Sequence, residues 1–124
     1  MEAVRVLIVD DEQELVSALE ERLALRGFLT RGVTDGATAL DCLREEPFDV
    51  VLADVKMPGL GGIDLVRTIN AERPGLPVVL LTGATSAQDA ANGATLGAFA
   101  YLVKPVKIDD LVRVLRAAAR KELP

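Results

Sequence analysis

Acidic side chains directly follow apolar runs at two places in the sequence. Asp10 and Asp11 come after "VLIV", and Asp54 comes after "VVLA". Like charges beside a buried run repel one another and resist desolvation, so the pattern points to a site that needs negative charge. Carboxylate oxygens are preferred by Mg²⁺, whereas structural zinc sites use cysteine and histidine, and the chain has one cysteine and no histidine. The pattern therefore predicts a Mg²⁺ site in which a carboxylate is also a candidate nucleophile toward phosphorus.

An alternation of apolar runs and helical patterns must position these acids. Five short runs rich in valine and leucine predict strands, at residues 4–9, 29–33, 50–53, 77–81 and 100–103. The second run, "LTRGV", is polar enough for an edge strand. Apolar residues at helical spacing predict helices at residues 15–23, 37–43, 63–70, 86–96 and 108–119. Five βα units in succession predict an α/β fold, a parallel sheet with helices on both faces.

Polar residues stand at the carboxyl ends of four of these strands. They are Asp10 and Asp11 after the first strand, Asp54 after the third, Thr82 after the fourth and Lys104 after the fifth. Ligands of open parallel sheets bind beyond the carboxyl ends of the strands, so we expect these side chains to converge. Lys104 would offset part of the acidic charge.

Composition narrows the remaining function classes. The 124 residues are expected to form one domain, residues 1–124, which is either a complete regulator or part of a longer protein. Its net charge of −5 argues against direct contact with nucleic acid. No apolar run approaches the roughly 18 residues of a membrane span, and the N-terminus runs straight into a strand pattern, which argues against a signal peptide. The single cysteine, Cys42, is expected to pack on the second helix and cannot form an internal disulfide. We therefore expect a cytoplasmic protein without direct membrane contact.

Four motifs, "IVDDE", "ADVKMPG", "LLTG" and "YLVKP", resemble in order and interval the receiver domain of bacterial two-component response regulators. The resemblance covers essentially the whole chain. It implies a flavodoxin-like, doubly wound (βα)5 fold with strand order 2-1-3-4-5. It also implies a regulatory phosphoacceptor that assists its own phosphorylation and dephosphorylation. The donor would be a phosphohistidine on a sensor histidine kinase or phosphotransfer protein, which must be another chain or domain because this one has no histidine.

The resemblance assigns a role to each pocket residue. Asp54 matches the phosphoacceptor, Asp11 the direct Mg²⁺ ligand, Asp10 the acid that holds the metal mainly through water, and Lys56 a ligand through its backbone carbonyl. Lys104 matches the lysine that pairs with the phosphoryl group, Thr82 the hydroxyl that moves to it, Tyr101 the aromatic that then turns inward, and Gly83 the small residue that leaves room for the donor. The resemblance also implies a cis Lys104–Pro105 bond. Gly61 departs from the family, which often has Asp or Asn there, and we expect a more mobile loop.

Other interpretations of these residues remain open. Asp10 or Asp11 could cap the first helix, with Asp11 and Glu14 as a capping pair, and Lys104 could be a solvated lysine. The acids at positions 12, 14, 20 and 21 are expected to form a solvated helix face. The fold also suits a phosphorylation-independent interaction domain, or a Mg²⁺-dependent phosphotransferase with an aspartyl intermediate. The latter usually has a second acid where Lys56 stands.

If the chain is a phosphoacceptor switch, its signal should leave through the face formed by the fourth predicted helix, the fifth strand and the fifth predicted helix. The fourth helix, residues 86–96, has the weakest interior because Asn92-Gly93 lies near its middle. An output domain, a separate output protein or a second copy in a homodimer is the expected occupant of that face.

Overall fold

Strands and helices alternate along residues 3–83 and 97–120, the part of the chain that the computed structural model describes. The strands are β1 (Arg5–Val9), β2 (Leu29–Val33), β3 (Val50–Asp54), β4 (Val78–Thr82) and β5 (Ala100–Val103). The helices are α1 (Gln13–Leu25), α2 (Gly36–Glu45), α3 (Gly62–Glu72) and α4 (Ile108–Ala119). The helix predicted over residues 86–96 lies outside the described residues. None of the described helices has the length and apolar character needed to cross a membrane.

All neighbouring strands are parallel, in the order β2-β1-β3-β4-β5. This confirms the predicted flavodoxin-like α/β class and the strand order, and it places "LTRGV" at one edge of the sheet. In the register, Val9 pairs with Ala53, and Thr82 pairs with Val103. The carboxyl ends of β1, β3, β4 and β5 therefore lie level with one another at one end of the sheet.

Two apolar layers cover the sheet and explain why the central strands are continuous apolar runs. Every residue of β3 and β4 is buried, as expected for parallel strands covered on both faces. Val6 and Ile8 of β1 pack in the layer under α1 and α4, while the alternate residues Leu7 and Val9 pack in the layer under α2 and α3. Cys42 is buried in this second layer, which confirms its predicted packing role.

The start of α1 shows that the predicted capping pair was wrong. Glu12 is the N-cap residue, and no side chain forms a cap hydrogen bond there. Instead, the N–H of Glu12 donates to Asp10 Oδ1 at 2.9 Å. Asp11 lies one position before the cap, so its carboxylate is not used to begin the helix.

Candidate functional site

The polar residues predicted to converge do so at the carboxyl end of the sheet. Asp10 follows β1, Asp54 and Thr82 end β3 and β4, and Lys104 follows β5. Only 2% of Asp10, 7% of Asp54 and 1% of Thr82 is exposed, whereas Asp11 is exposed. Two buried acids at the ends of apolar strands carry a large desolvation cost, so something must compensate their charge.

Lys104 supplies part of that compensation. Its Nζ donates to Asp10 Oδ2 at 3.0 Å and to Asp54 Oδ2 at 3.4 Å. A third carboxylate, on exposed Glu12, lies 3.8 Å away. Because only 20% of its side chain is exposed, the interpretation of Lys104 as a solvated lysine was wrong.

A backbone hydrogen bond holds Lys104 in position directly after β5. Its N–H donates to the carbonyl oxygen of Thr82 at 2.6 Å, which ties the end of β5 to the end of β4. The Lys104–Pro105 peptide bond is cis, as the resemblance predicted.

Asp10, Asp11 and Asp54 form a group of carboxylates suited to a hard cation. One oxygen of each lies within 4.8 Å of the others, and this is the one such trio within residues 3–83 and 97–120. Opposite ligands of an octahedral Mg²⁺ are roughly 4.2 Å apart, so the spacing is close to that of a shared ion. The charge of the three clustered carboxylates exceeds that of the one ammonium beside Asp10 and Asp54, and a divalent cation would balance the excess. The donor set therefore fits Mg²⁺ by ligand type, spacing and charge.

The backbone around Asp54 is held from two sides. The N–H of Lys56 donates to Asp54 Oδ1 at 3.3 Å. On the other side, α3 begins so close to β3 that a Cβ at Gly62 would overlap the carbonyl oxygen of Asp54. Only glycine fits there without moving the backbone of Asp54. Sequence reasoning missed Gly62, since the "GG" pair signals a turn but not the neighbour against which that turn packs.

The electrostatics of the pocket favour a positive charge and penalise the ionised form of Asp54. Burial raises the pKa of the Asp54 carboxyl above its ordinary value, the charge of Asp10 raises it further, and Lys104 opposes both. For Lys104, burial disfavours the ammonium, but the hydrogen bond and charge of Asp10, with those of Asp54, outweigh burial and raise its pKa. Lys104 therefore stays protonated at neutral pH, while the ionised carboxylate of Asp54 destabilises the metal-free fold.

We expect Asp54→Asn to raise the melting temperature in EDTA. The amide removes the penalised charge, while Lys104 keeps its 3.0 Å bond to Asp10. Relief of about 1 kcal/mol corresponds to roughly 4 °C in a domain of this size, and removing Mg²⁺ should cost the wild type less than that. Calorimetry would check this against Asp41→Asn, the same change at an exposed position of α2. An unchanged or lower melting temperature would contradict a strained carboxylate.

Gly83 follows β4 beside Lys104, and Tyr101 lies on β5, the strand that leads to Lys104. Within residues 3–83 and 97–120, and apart from its chain neighbours, the one atom within 4 Å of a Cβ on Gly83 would be Lys104 Cδ, at 3.9 Å. Tyr101, on β5, packs against the apolar layer under α2 and α3. Its hydroxyl is buried and has no hydrogen-bond partner in the described part of the chain. A buried hydroxyl of this kind gains free energy from any movement that gives it a partner.

Gly61 was expected to make the loop before α3 more mobile. Gly61 is the N-cap residue of α3 and provides no side-chain cap. A Cβ there would lie 3.0 Å from the carbonyl oxygen of Val55, which is tight. The predicted mobility of this loop stays a prediction.

Comparison with known proteins gives consistent matches. The family model for the response regulator receiver domain matches residues 6–116. The chain is 37% identical over 118 residues to the probable transcriptional regulatory protein TcrX of Mycobacterium tuberculosis, and 40% identical over 117 residues to the DNA-binding response regulator MtrA of the same species. These alignments cover 95% and 94% of this chain but 50% and 51% of those proteins. The chain thus spans about half the length of the curated relatives it matches.

Solved structures match over nearly the whole chain. A CheY-like receiver domain protein from Methanospirillum hungatei has a TM-score of 0.91 at 27% identity, covering 97% of this chain and 96% of that one. A receiver domain protein from Clostridium thermocellum has a TM-score of 0.91 at 31% identity, covering 95% of each chain. A BeF3-activated DrrB receiver domain has a TM-score of 0.85 at 26% identity, covering 95% of this chain and 98% of that one.

Proposed function

The chain belongs to the response regulator receiver domain family, and we propose that it is a phosphoacceptor switch in which Asp54 takes a phosphoryl group from a partner's phosphohistidine. The observation that supports this role most directly is the buried carboxylate of Asp54 at the end of β3, beside Asp10, Asp11 and Lys104. Labelling of Asp54 by a small phosphodonor tests the proposal. The partner is a sensor histidine kinase or phosphotransfer protein, since the chain itself has no histidine.

The acids and one backbone carbonyl would hold Mg²⁺. Asp11 is exposed and suits direct coordination, as does Asp54, with the carbonyl of Lys56 completing the protein ligands. Asp10 suits contact through water, because the hydrogen bonds that its two oxygens accept, at 2.9 and 3.0 Å, are shorter than the 3.3 and 3.4 Å bonds that Asp54 accepts. When bound, the ion supplies charge stabilisation for a phosphoryl oxygen.

The transfer needs a nucleophile, charge neutralisation and space. A carboxylate oxygen of Asp54 attacks phosphorus, the P–N bond to the donor imidazole breaks, and the imidazole leaves with that electron pair. Lys104 turns from the acids to the phosphoryl oxygens, and the hydroxyl of Thr82 donates a hydrogen bond to one of them. Gly83 has no side chain to hinder the donor beside Lys104. A separate phosphotransferase activity is less well supported, because the position that would carry a second acid is Lys56.

The switch would pass from the pocket to β5. Thr82 pairs with Val103, and the Thr82 carbonyl accepts the N–H of Lys104. A movement of Thr82 would therefore shift β5, the strand that carries Tyr101. Such a movement would be favourable if it brought the buried hydroxyl of Tyr101 to a hydrogen-bond partner. We place the output contact, to an output domain or protein or to a second copy in a homodimer, on the face formed by the predicted helix over 86–96, β5 and α4.

The relatives support a proposal for the output of the protein. TcrX is named as a probable transcriptional regulatory protein and MtrA as a DNA-binding response regulator, and about half of each aligns with this chain. Residues 1–124 would then be the receiver domain of a regulator with a separate DNA-binding part. Direct nucleic-acid contact then falls to that part, since this domain has a net charge of −5. A single buried free cysteine agrees with a cytoplasmic location.

Beryllofluoride with Mg²⁺, a mimic of the phosphoryl group, should change hydrogen exchange most in residues 83–105. The reason is the direct tie between Thr82, Lys104 and β5. Exchange would be followed by mass spectrometry with and without the mimic, and Asp54→Asn, which cannot bind it, is the control. Changes confined to α1 and α2 would indicate another output face.

A further inference from the structure

Glu20 does not belong to the solvated acidic face expected for α1. Glu20 is partly buried, and its Oε2 accepts the N–H of Gly32 in β2 at 3.1 Å. The neighbouring Glu21 is exposed. A side chain of α1 thus bonds the backbone of the outermost strand of the sheet.

The backbone groups of β2 point alternately toward β1 and away from the sheet. The N–H of Leu29 donates to Val4 at 2.9 Å, and the carbonyl of Val33 accepts from Asp10 at 3.2 Å, so both residues face β1. Because the direction alternates along a strand, Thr30 and Gly32 turn their N–H and C=O groups outward. The Gly32 N–H is therefore a donor that any added strand would need.

Gly32 and α1 are fitted to each other. A Cβ at this position would overlap Val16 Cγ1 and would lie 2.6 Å from Glu20 Oε1. Val16 and Glu20 are four residues apart and share one face of α1, so the helix lies against the strand at Gly32. A glycine here lets the helix approach closely enough for Glu20 to reach the outer edge of the strand.

The same edge exposes apolar surface. Leu29, the first residue of β2, is 54% exposed. An open strand edge that also carries an exposed apolar residue invites pairing with another strand, and natural sheets oppose this with charged side chains at the edge.

We propose that Glu20 closes the outer edge of β2 against strand addition by a second copy of this chain. Antiparallel pairing of two β2 strands would use the outward groups of Thr30 and Gly32 in each copy. Both Gly32 donors are already bonded to Glu20, and pairing would leave two carboxylates desolvated without partners. Self-association is thereby directed to other faces of the domain. The proposal does not depend on phosphorylation.

Glu20→Ala and Glu20→Met, which remove the acceptor, test the proposal. Both should speed amide exchange of Gly32 about tenfold or more, since a hydrogen bond to a charged group is lost. Both should also form dimers whose fraction rises with concentration in sedimentation velocity. Glu20→Gln should stay near the wild type in both measurements, because the amide oxygen can accept the same bond. Glu21→Ala, with the same loss of charge on the exposed face, should change neither.

Two results would overturn the proposal. One is a monomeric Glu20→Met whose circular dichroism matches the wild type, whatever happens to Gly32 exchange. The other is dimerisation of Glu20→Gln or Glu21→Ala to the extent of Glu20→Ala, because charge alone would then control association. Glu20→Met serves as the second variant if Glu20→Ala does not fold, since it keeps side-chain length and helix propensity.

Discussion

Asp54→Asn is expected to abolish phosphorylation of the chain by acetyl phosphate in the presence of Mg²⁺. Asparagine lacks the nucleophilic carboxylate oxygen that would form the bond to phosphorus. Its carbonyl oxygen can still accept the Lys56 N–H bond that Oδ1 accepts now, so the pocket should keep its shape. Intact-mass spectrometry would show one added phosphoryl group on the wild type and none above detection on the variant.

Two controls test whether the loss of labelling comes from the missing nucleophile of Asp54 and whether labelling needs the metal. Asp41→Asn makes the same change at an exposed position of α2 and should be labelled like the wild type. EDTA should suppress labelling of the wild type, since the transfer is proposed to need Mg²⁺ at the three acids. Equal labelling of Asp54→Asn and wild type would refute Asp54 as the phosphoacceptor, and labelling insensitive to EDTA would refute the role of the metal.

The convergence of the site was predictable because it depends on topology rather than on packing detail. Asp10, Asp54 and Thr82 each end an apolar run that is too continuous for a half-exposed strand. Once such strands are parallel, their carboxyl ends must meet at one end of the sheet, however far apart they are in the chain. The strand order and the individual roles needed the resemblance as well, because nothing in the spacing of apolar residues specifies which strand lies beside which.

What the sequence did not predict depends on how a helix rests on its neighbour. Glu20 and Glu21 look alike in sequence, yet one turns toward β2 and the other toward solvent, since successive residues point in different directions around a helix. Gly62 is needed only because α3 begins against the backbone of Asp54. At α1, Asp10 rather than Asp11 accepts the Glu12 N–H, a choice between adjacent carboxylates that a capping pattern cannot make.

Lys104→Met is expected to destabilise the metal-free protein by roughly 3 kcal/mol. Lys104 is the counter-charge of Asp10 and Asp54, whose side chains are only 3% and 9% exposed. Methionine keeps most of the length of the side chain, so the change is chiefly electrostatic. Mg²⁺ should stabilise the variant more than the wild type, because the ion then supplies charge that no side chain provides.

The deficit of Lys104→Met should depend on pH in a direction set by Asp54. Burial and the charge of Asp10 raise the pKa of Asp54 in the folded protein, so its protonation favours folding, and loss of Lys104 removes the opposing effect. The loss of unfolding free energy is therefore full above the folded pKa that Asp54 has in the variant, which the absence of Lys104 raises further. It shrinks as pH falls from that value to the folded pKa of Asp54 in the wild type. Lys104 itself has a raised pKa, so its stabilising charge is fully present below its ordinary value of 10.5 and is lost only as pH rises through the folded value.

Urea unfolding in EDTA and in Mg²⁺, between about pH 5 and pH 8, would measure the stabilisation by Mg²⁺ and the pH dependence that Asp54 sets. Lys107→Met is the matched control, the same substitution three residues later at an exposed position. If Lys104→Met and Lys107→Met unfold at the same urea concentration in EDTA, the ion pairs of Lys104 stabilise the fold only by as much as burial of its ammonium destabilises it. The excess charge of the three acids would then be tolerated without a cation, and the electrostatic case for a metal at this end of the sheet would fail.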